Sequence, residues 1–475
     1  MKKILEWCLP LIFCMVFVYG RVVCYGPMND SVAVQDTESY FTAAQADFPS
    51  LEFFEQQRSA TVPLFYKLCN PTLEHEITLM SEPYFETSTR LAVQPGTENI
   101  IRAQTIISIV CWAACALLVC STLNGWFAKA LAALLILAFG FVPQIADWDS
   151  ILSSESLSIS LFALLVGLLI KAVPSGKKEQ SAASWILALL LFIVNALWIF
   201  TRDTNAYFVV LEAVLLIFTA LYIWIREKGL WSSTIILGFC LIGLFFFQQQ
   251  SFTESERWLL PLLNNLTANV FPYEERVAFF VEKSGMPDDE ETLALTGSAE
   301  YNDIYANETF MRWARRYGMK TYQKWLLSMP LWSVLQVYNN LESFFEENEQ
   351  PFFYGSDQEK PHWASGTGDL LHPQSSAVIL IDLLLLIALF VKFANTKAPT
   401  DLRWACCLLI LFLGSGLLMS LSYLGEVRSI WRHVLGGVIG LRLTLWLTIA
   451  ALFSAKDEKP KLNKPVEKPV EAVHE

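Results

Sequence analysis

The sequence has little charge for its length. Of its 475 residues, 17% are charged and 54% are hydrophobic, and its mean hydropathy is +0.40, whereas about a quarter of a soluble protein's residues are charged. It has five histidines, none at the spacing of metal ligands, and it contains no glycine-rich phosphate loop and no Cys-x-x-Cys pair. These absences argue against a soluble cofactor enzyme and place the chain in a membrane.

Cysteines outside apolar segments are also scarce. Eight of the ten cysteines fall inside apolar runs, where cysteine behaves as a small buried hydrophobe. Only Cys24 and Cys69 lie where they could meet outside the membrane. Their positions leave open whether they pair, so the sequence does not define a disulfide framework.

Acidic residues outnumber basic ones, and the imbalance is local. The net charge is −12, and residues 251–376 contain 19 Asp or Glu but 9 Lys or Arg, a local charge of −10. Because an acidic surface repels phosphate backbones, this charge argues against a nucleic-acid partner.

Ten apolar runs of near-spanning length are present along the chain. The first, residues 4–24, follows the basic start Lys2-Lys3 and lacks a small-x-small cleavage site, so we interpret it as an uncleaved signal anchor. The others are long enough to cross a bilayer as helices. They are 103–123, 127–146, 151–171, 185–201, 206–225, 231–248, 377–394, 404–424 and 434–454. The predicted fold class is an all-α polytopic membrane protein with about ten transmembrane helices.

Lysines and arginines in the short loops fall on one side of the membrane if ten helices alternate. Positive charge near a span resists translocation, so these residues mark the cytoplasmic side. They are Lys2, Lys3, Lys129, Lys171, Lys177, Lys178, Arg226, Lys228, Lys392, Lys397, Arg403, Lys456, Lys459, Lys461 and Lys464. Both termini are then cytoplasmic, and a site among the remaining polar segments would be extracytoplasmic, on a plasma or inner membrane.

The order of apolar runs and polar segments divides the chain into four predicted parts. Residues 1–250 form an N-terminal transmembrane core with a first outer loop at 25–102. Residues 251–376 show helical spacing of aromatics and form a mostly helical extracytoplasmic layer. Residues 377–454 form the C-terminal transmembrane helices, and residues 455–475, rich in Lys, Pro and Glu, form a disordered cytoplasmic tail.

Carboxylates gather on the outer side. Asp36 and Tyr40 are four residues apart and share one face of a helix, where Asp36 could act as a general base or cap the helix. Asp149 and Glu155 flank the start of a span, and Glu155 should avoid lipid by facing the bundle or a wet cavity. Loop solvation and compensation by the helix dipole are the alternatives for this second cluster.

Cationic groups gather on the same side. Arg202 could pair with the adjacent Asp203 or hold a phosphate, for which its planar fork of donors is suited. A second group of cations is formed by Arg428, Arg432 and His433, which could together bind a lipid-linked phosphate. The alternative is that the two arginines only extend their charged ends from the membrane edge into water. Three ionisable groups fall inside spans, and interior pairing is predicted for the first two. They are Glu212, Asp382 and Arg442.

Several short motifs together resemble a known family. They are the acidic run 36–40, Arg58 with Pro63-Leu64-Phe65-Tyr66, the run 152–157 and the turn 202–207. With these motifs the chain resembles bacterial polyprenyl-phosphate-dependent glycosyltransferases of the GT-C fold, the superfamily of protein O-mannosyltransferases and aminoarabinose lipid A transferases. It departs from the mannosyltransferases at Thr37, where they carry a second acid. The resemblance implies a seven-helix core with extra helices and a cavity between the outer loops and the membrane.

The reaction we predict is inverting transfer of a sugar from a polyprenyl-phosphate-linked donor to a hydroxyl of a lipid, glycan or protein acceptor. The predicted catalytic residues are Asp36 as proton acceptor, with Glu155 and Asp149 positioning substrate. The predicted substrate-binding residues are Tyr40, Arg58, Arg202, Arg428, Arg432 and His433. The three carboxylates are also compatible with a divalent metal ion. The alternatives are a lipid-linked saccharide flippase, or a polysaccharide ligase or polymerase. The sequence does not identify the sugar or the acceptor.

Overall fold

A computed structural model gives the fold and describes residues 2–25, 31–34, 36–71, 96–173, 181–227, 232–294, 301–346 and 362–455. The predicted tail therefore lies outside the described residues except for residue 455, and so do residues 26–30 and 72–95 of the predicted first loop. Several of the lysines that predict the orientation also lie outside them, including Lys177, Lys178 and Lys228.

The N-terminal part is a succession of long helices with short helices between the first two spans. In chain order its helices are α1 (Lys2–Cys24), α2 (Thr37–Ala44), α3 (Leu51–Phe54), α4 (Thr61–Cys69), α5 (Glu98–Cys120), α6 (Trp126–Phe141), α7 (Pro143–Ala146), α8 (Glu155–Ala172), α9 (Ala182–Ile199), α10 (Asn205–Glu227) and α11 (Ser232–Glu254). A 3₁₀ turn, Asp147–Ser150, joins α7 to the segment before α8.

Short helices fill the region between α11 and the last three long helices. They are α12 (Leu259–Asn265), α13 (Glu274–Ser284), α14 (Glu290–Ala294), α15 (Tyr301–Ala306), α16 (Glu308–Trp313), α17 (Met319–Ser328), α18 (Pro330–Asn339), α19 (Leu341–Glu346) and α20 (His362–Leu371), with π-helical turns at Leu266–Val270 and Ala314–Gly318. Of these helices, α12, α13, α15, α16 and α17 share a core of their own around Phe280, Phe310 and Trp325, whereas Phe344 and Phe345 of α19 pack against α23. The long helices that follow are α21 (Ala377–Thr396), α22 (Pro399–Gly425) and α23 (Ile430–Leu452).

Nine of the described helices are long and apolar enough to cross a membrane, or ten if the bent pair α6 and α7 counts as one span. The prediction of a helical, polytopic membrane protein is therefore confirmed. Residues 127–146 are predicted to form one straight span, but in the structure the chain bends by 58° after Phe141. Pro143 lacks the backbone N–H that would continue the helix, and Val142 before it is extended.

Two short strands, which the sequence analysis did not predict, connect the first loop to the start of α8. β1 (Val32–Ala33) pairs in parallel with β2 (Ile151–Leu152). The Thr37 hydroxyl donates to the Leu152 carbonyl over 2.8 Å and accepts from the Val34 N–H over 2.8 Å. Because the strands are parallel, the residues that follow them leave at the same end. This register brings Asp36 and Glu155, each three residues beyond a paired position, to one place.

The most deeply buried spans are α8 and α23. Small residues allow α23 to lie against α22, because an added Cβ at Gly437 would stand 2.6 Å from the Met419 nitrogen and from the Ser415 carbonyl oxygen. Close approach of backbones at glycine is a common way of packing helices in membranes. Cys24 and Cys69, whose pairing the sequence left open, are both free thiols in the structure.

We expect Gly437→Ala to lower the apparent melting temperature of the purified protein, because the new methyl group meets backbone atoms that cannot turn aside. Overpacking of this kind typically costs about 1–3 kcal/mol. The matched control is Gly436→Ala on the same helix, where an added Cβ has nothing within 4 Å. Thermal unfolding of the two variants in one detergent measures the difference, and equal melting temperatures would contradict this account of the α22–α23 contact.

Candidate active site

Five charged side chains meet at one end of the long helices. We call Arg58, Asp36, Arg432, Glu155 and Arg202 the charge cluster. Arg58 Nη2 lies 2.6 Å from one Asp36 oxygen, and Arg432 Nη1 lies 2.6 Å from the other. The Arg432 Nε also bonds Glu155 Oε1, and Arg202 Nη2 lies 2.5 Å from that oxygen. Guanidinium and carboxylate groups therefore alternate along the cluster.

The members of the charge cluster come from distant parts of the chain. Asp36 precedes α2, Arg58 precedes α4, Glu155 begins α8, Arg202 lies in the turn between α9 and α10, and Arg432 lies in the first turn of α23. Arg202 is further held by hydrogen bonds to the Arg432 carbonyl (2.9 Å) and the Ser154 hydroxyl (3.2 Å). The cluster therefore joins four segments at the ends of the bundle.

The Asp36 carboxylate bonds the arginines of the charge cluster and does not cap helix α2. Asp36 stands at the N-cap of α2 but makes no capping hydrogen bond from its side chain. Arg58, its partner, is held in turn by a 2.6 Å bond to the Ser39 hydroxyl and by the ring of Tyr40, whose centre is 4.9 Å from the guanidinium. The helix-cap interpretation of Asp36 is therefore wrong for its side chain.

Neighbouring charges decide the ionisation of Asp36. Burial by itself would raise its pKa, but the guanidinium groups of Arg432 and Arg58 outweigh burial, and the pKa lies below its ordinary value of 3.8. Asp36 is therefore ionised throughout the neutral range.

A cavity of about 360 Å³ opens above the charge cluster. Four cluster members line it, and Glu155 does not. The exposed fraction of the side chain is 29% for Asp36 and 30% for Arg58 but 1% for Glu155. A ligand in the cavity can therefore touch Asp36 and Arg58, whereas Glu155 lies behind Arg202 and Arg432.

The rest of the cavity wall combines amide and apolar side chains, which come mainly from α11, α12 and α17, from the loop before α12 and from the loop between α3 and α4. Its amides and aromatic or aliphatic groups include Gln57, Gln249, Gln323, Asn265, Phe252, Trp258, Met319, Tyr322 and Leu326. Glu426 also lines it and accepts 2.9 Å hydrogen bonds at both oxygens from Asn264, and burial raises its pKa. Carboxamides beside aromatic rings suit a ligand with many hydroxyl groups. None of these amides was singled out from the sequence, because isolated glutamines carry no local signal.

The other predicted substrate-binding residues divide between the cavity and the surface. Tyr40 and His433 line the cavity. Arg428 is exposed and does not line it, and its backbone N–H donates to Glu426 over 2.9 Å. The structure therefore brings Tyr40, Arg58, Arg202, Arg432 and His433 together and leaves Arg428 outside.

Asp149 lies apart from the cavity. Its carboxylate is buried, forms an ion pair with Arg21 of α1 and accepts a 2.6 Å hydrogen bond from Ser156. The Arg21 guanidinium also donates to the Gly140 carbonyl over 2.7 Å. This arrangement links α1, the end of α6 and the start of α8, so the contacts of Asp149 are those of a packing group.

Arg202 and Asp203 do not pair with each other, which settles an alternative that the sequence left open. Asp203 instead receives Arg257, with Nε 3.0 Å from Oδ2 and Nη2 3.0 Å from Oδ1, and Gln248 at 2.8 Å. Arg257 also donates to the Gln56 carbonyl over 3.0 Å. The sequence analysis missed Arg257, which follows α11 among acidic residues and carries no motif.

The donor set does not fit a divalent metal ion. Each carboxylate of the charge cluster is already bonded to two guanidinium groups, and three positive charges surround two negative ones. A divalent cation between Asp36 and Glu155 would have to displace Arg432 and would meet repulsion from Arg58 and Arg202. The described residues contain no group of three or more His, Cys, Asp or Glu side chains arranged to hold a metal.

The ionisable groups inside the spans lie away from the cavity. Glu212 accepts a 3.1 Å hydrogen bond from Asn195. Asp382 is buried, and neither of its oxygens has a hydrogen-bond partner in the part of the chain that the structure describes. Arg442 donates to the carbonyls of Phe345 (3.0 Å) and Pro373 (2.9 Å). Interior pairing is thus seen for Glu212 but not for Asp382.

Comparison with known proteins gives a weak structural similarity and no match of sequence. No family model matches the sequence, and no curated protein matches it. The chain is similar to the archaeal oligosaccharyltransferase AglB from Archaeoglobus fulgidus in complex with an inhibitory peptide and a dolichol-phosphate, with 12% identity over 94% of this chain and 50% of that chain and a TM-score of 0.44. It is also similar to the oligosaccharyltransferase from that organism in the apo form, with 11% identity, the same coverage of both chains and a TM-score of 0.43. This chain spans about half the length of those structures, and a likeness at this level does not define an activity.

We expect Asp149→Asn to destabilise the protein by about 3–5 kcal/mol, because it leaves the Arg21 guanidinium buried without its counter-charge. Thermal unfolding measures this loss. The double variant Arg21→Met/Asp149→Leu should recover much of the lost stability, since apolar side chains often replace a buried ion pair without loss. An Asp149→Asn protein as stable as the wild type would contradict the packing role.

Proposed function

We propose that this protein is an integral-membrane glycosyltransferase of the GT-C type, which moves a sugar from a polyprenyl-phosphate carrier to an acceptor hydroxyl. The observation that carries the proposal is an accessible carboxylate, Asp36, held between the guanidinium groups of Arg58 and Arg432 in the wall of a cavity. That combination supplies an acceptor for a proton and positive charge for a departing phosphate in one place.

In the proposed reaction the acceptor oxygen attacks the anomeric carbon of the donor sugar. A new C–O bond forms, the bond from that carbon to the phosphate oxygen breaks, and the polyprenyl phosphate leaves with the electron pair. The acceptor's proton passes to Asp36. Because attack comes from the face opposite the phosphate, the configuration inverts. Asp36 is ionised at neutral pH, so it orients the hydroxyl and takes its proton late.

The charge cluster has the charge opposite to that of the proposed donor, and its positive charge stabilises the further negative charge that develops on the phosphate as it leaves. Three guanidinium groups against two carboxylates leave one positive charge in excess, and a sugar-linked polyprenyl phosphate carries one negative charge. Arg58, Arg202 and Arg432 all line the cavity, and planar guanidinium forks bind phosphate oxygens in pairs. Glu155, being behind them, would position Arg202 and Arg432 and not touch the substrate. Asp149 would support this site through packing alone.

We propose that the cavity is extracytoplasmic and that both termini are cytoplasmic. The charge cluster lies where α8 and α23 begin and α9 ends. Lys129, Lys171 and Arg403, which predict the cytoplasmic side, lie at the opposite ends of α6, α8 and α22. The acceptor would therefore be a lipid, glycan or protein hydroxyl on the extracytoplasmic side of the membrane.

The mid-span groups favour transfer over transport. A flippase needs a polar path for its head group through the membrane. Glu212, Asp382 and Arg442 are each buried, and none of the three lines the cavity above the charge cluster. Their placement supports a site for chemistry at one face.

We expect Asp36→Asn to abolish product formation while the protein stays folded and inserted, because an amide cannot accept the acceptor's proton. General-base catalysis typically contributes about 10²–10⁴-fold to a rate. Glycans and glycolipids would be compared by mass spectrometry between cells carrying the wild-type gene and cells carrying the variant. The matched control is Glu38→Gln, an exposed acid two residues away, which should keep the wild-type profile. Undiminished product in Asp36→Asn cells would remove Asp36 from the catalytic role.

Arg202→Ala and Arg432→Ala should each weaken binding of polyprenyl phosphate about tenfold or more, since a hydrogen bond to a charged group is worth about 1.5–3 kcal/mol. Native mass spectrometry with polyprenyl phosphate, and with neutral polyprenol as the uncharged reference, measures the effect. Arg428→Ala, on the exposed arginine outside the cavity, is the matched control and should bind like the wild type. Equal phosphate affinity in all four proteins would overturn the proposed phosphate site.

A further inference from the structure

Helix α18 differs in composition from the acidic part of the chain in which it lies. Residues 251–376 contain 19 Asp or Glu and 9 Lys or Arg, but no residue from 325 to 341 is charged. The other long uncharged stretch in this part is residues 258–273, which include α12. Apolar side chains of α12, such as Leu262 and Leu263, are buried, whereas none of the ten residues of α18 is buried.

The exposed side of α18 is apolar. Leu331, Val334, Leu335 and Tyr338 recur at the spacing of one helix face, and all four are exposed. The exposed fraction is 70% for Leu331, 64% for Val334 and 68% for Tyr338. We call these four residues the apolar face of α18.

The opposite side of α18 holds the helix to the protein. The Ser333 hydroxyl donates to the Leu326 carbonyl over 3.1 Å. The Trp332 ring lies 4.7 Å from that of Trp325, which belongs to the core of the neighbouring short helices. A helix between a protein core and water places its apolar side chains inward and its polar ones outward. Because α18 exposes its apolar side, its outer surface is not that of a helix in water.

The end of α18 is attached to the spans at the end of the bundle that carries the charge cluster. Just after α18, the Asn340 amide donates to the Tyr423 hydroxyl over 2.9 Å, and Tyr423 lies in the last turn of α22. Val337 of α18 packs against a cluster formed by residues of α19, α21, α22 and α23. These contacts put α18 at the level where the spans leave the apolar part of the bilayer.

An exposed apolar face marks contact with a membrane or with another protein. The position of α18 beside the ends of the spans favours the membrane, because lipid is already present at this level around α21 and α22. Its composition favours the membrane too, since apolar side chains with a tyrosine are typical of helices at the bilayer interface.

We propose that the apolar face of α18 inserts into the bilayer leaflet on the side of the charge cluster and contacts acyl chains there. The face carries no charge, so the contact depends on apolar burial and not on the charge of the head groups. This contact is independent of the glycosyl transfer proposed above. It also holds α17 at the membrane surface, and Tyr322 and Leu326 of α17 line the cavity above the charge cluster.

Photo-crosslinking of the full-length protein in phosphatidylcholine liposomes tests the contact. The photoreactive residue p-benzoylphenylalanine replaces Val334, and after illumination the mass of the denatured protein is measured. We expect the added mass of one phospholipid. The same probe at Leu384, which is 57% exposed within the span α21, is the positive control.

The matched negative control is the same probe at Ala278, an exposed position of α13. That helix also carries Glu274, Glu275 and Glu282, so its exposed side belongs in water and should give no lipid adduct. If Leu384 gives the adduct and Val334 does not, or if Ala278 gives as much as Val334, the proposal fails. A covalent dimer at Val334 without a lipid adduct would overturn it in favour of a second copy of the chain.

A charge placed on the apolar face tests the same contact by stability. We expect Val334→Asp to lower the melting temperature in lipid nanodiscs by a few degrees, because the carboxylate would have to leave water for acyl chains. Val334→Leu should melt like the wild type. Ala278→Asp places the same carboxylate at an exposed mid-helix position of α13 and should also melt like the wild type. Equal melting temperatures for Val334→Asp and Ala278→Asp would contradict insertion of α18 into the bilayer.

Discussion

The bridge that Arg432 makes between two carboxylates is the interaction on which the candidate active site depends. Its guanidinium bonds Asp36, 396 residues away in sequence, and Glu155, 277 residues away. Burying Glu155 as an isolated ion would cost several kcal/mol, and Arg432 and Arg202 together offset that cost. Charge compensation thus holds the first loop, the start of α8 and the start of α23 in one arrangement, and the cavity is the space above them.

The backbone prepares this arrangement. The parallel pairing of β1 with β2 brings the residues before Asp36 and before Glu155 into register, and the Thr37 side chain fastens the same crossing. Gly437 lets α23 lie close to the backbone of α22. This close packing fixes the position of α23, the helix that carries Arg432. A site built on the ends of packed spans keeps its charges in place before a ligand arrives, and such preorganised charge is what makes electrostatic stabilisation effective.

The sequence by itself determined the spans. In lipid every backbone polar group must be bonded within its own helix, so length and apolarity are sufficient to identify a span, and even the bend after Phe141 has a local cause in Pro143. The sequence also contained the candidates, since a charged side chain near a span is costly without a partner. Only the tertiary structure decided which charged groups pair. Asp149 pairs with Arg21 and Asp203 pairs with Arg257, whereas Asp36 is accessible from the cavity. The physical reason is that an ion pair depends on where two side chains meet in space, and strands, turns and helix contacts far apart in the chain set that position.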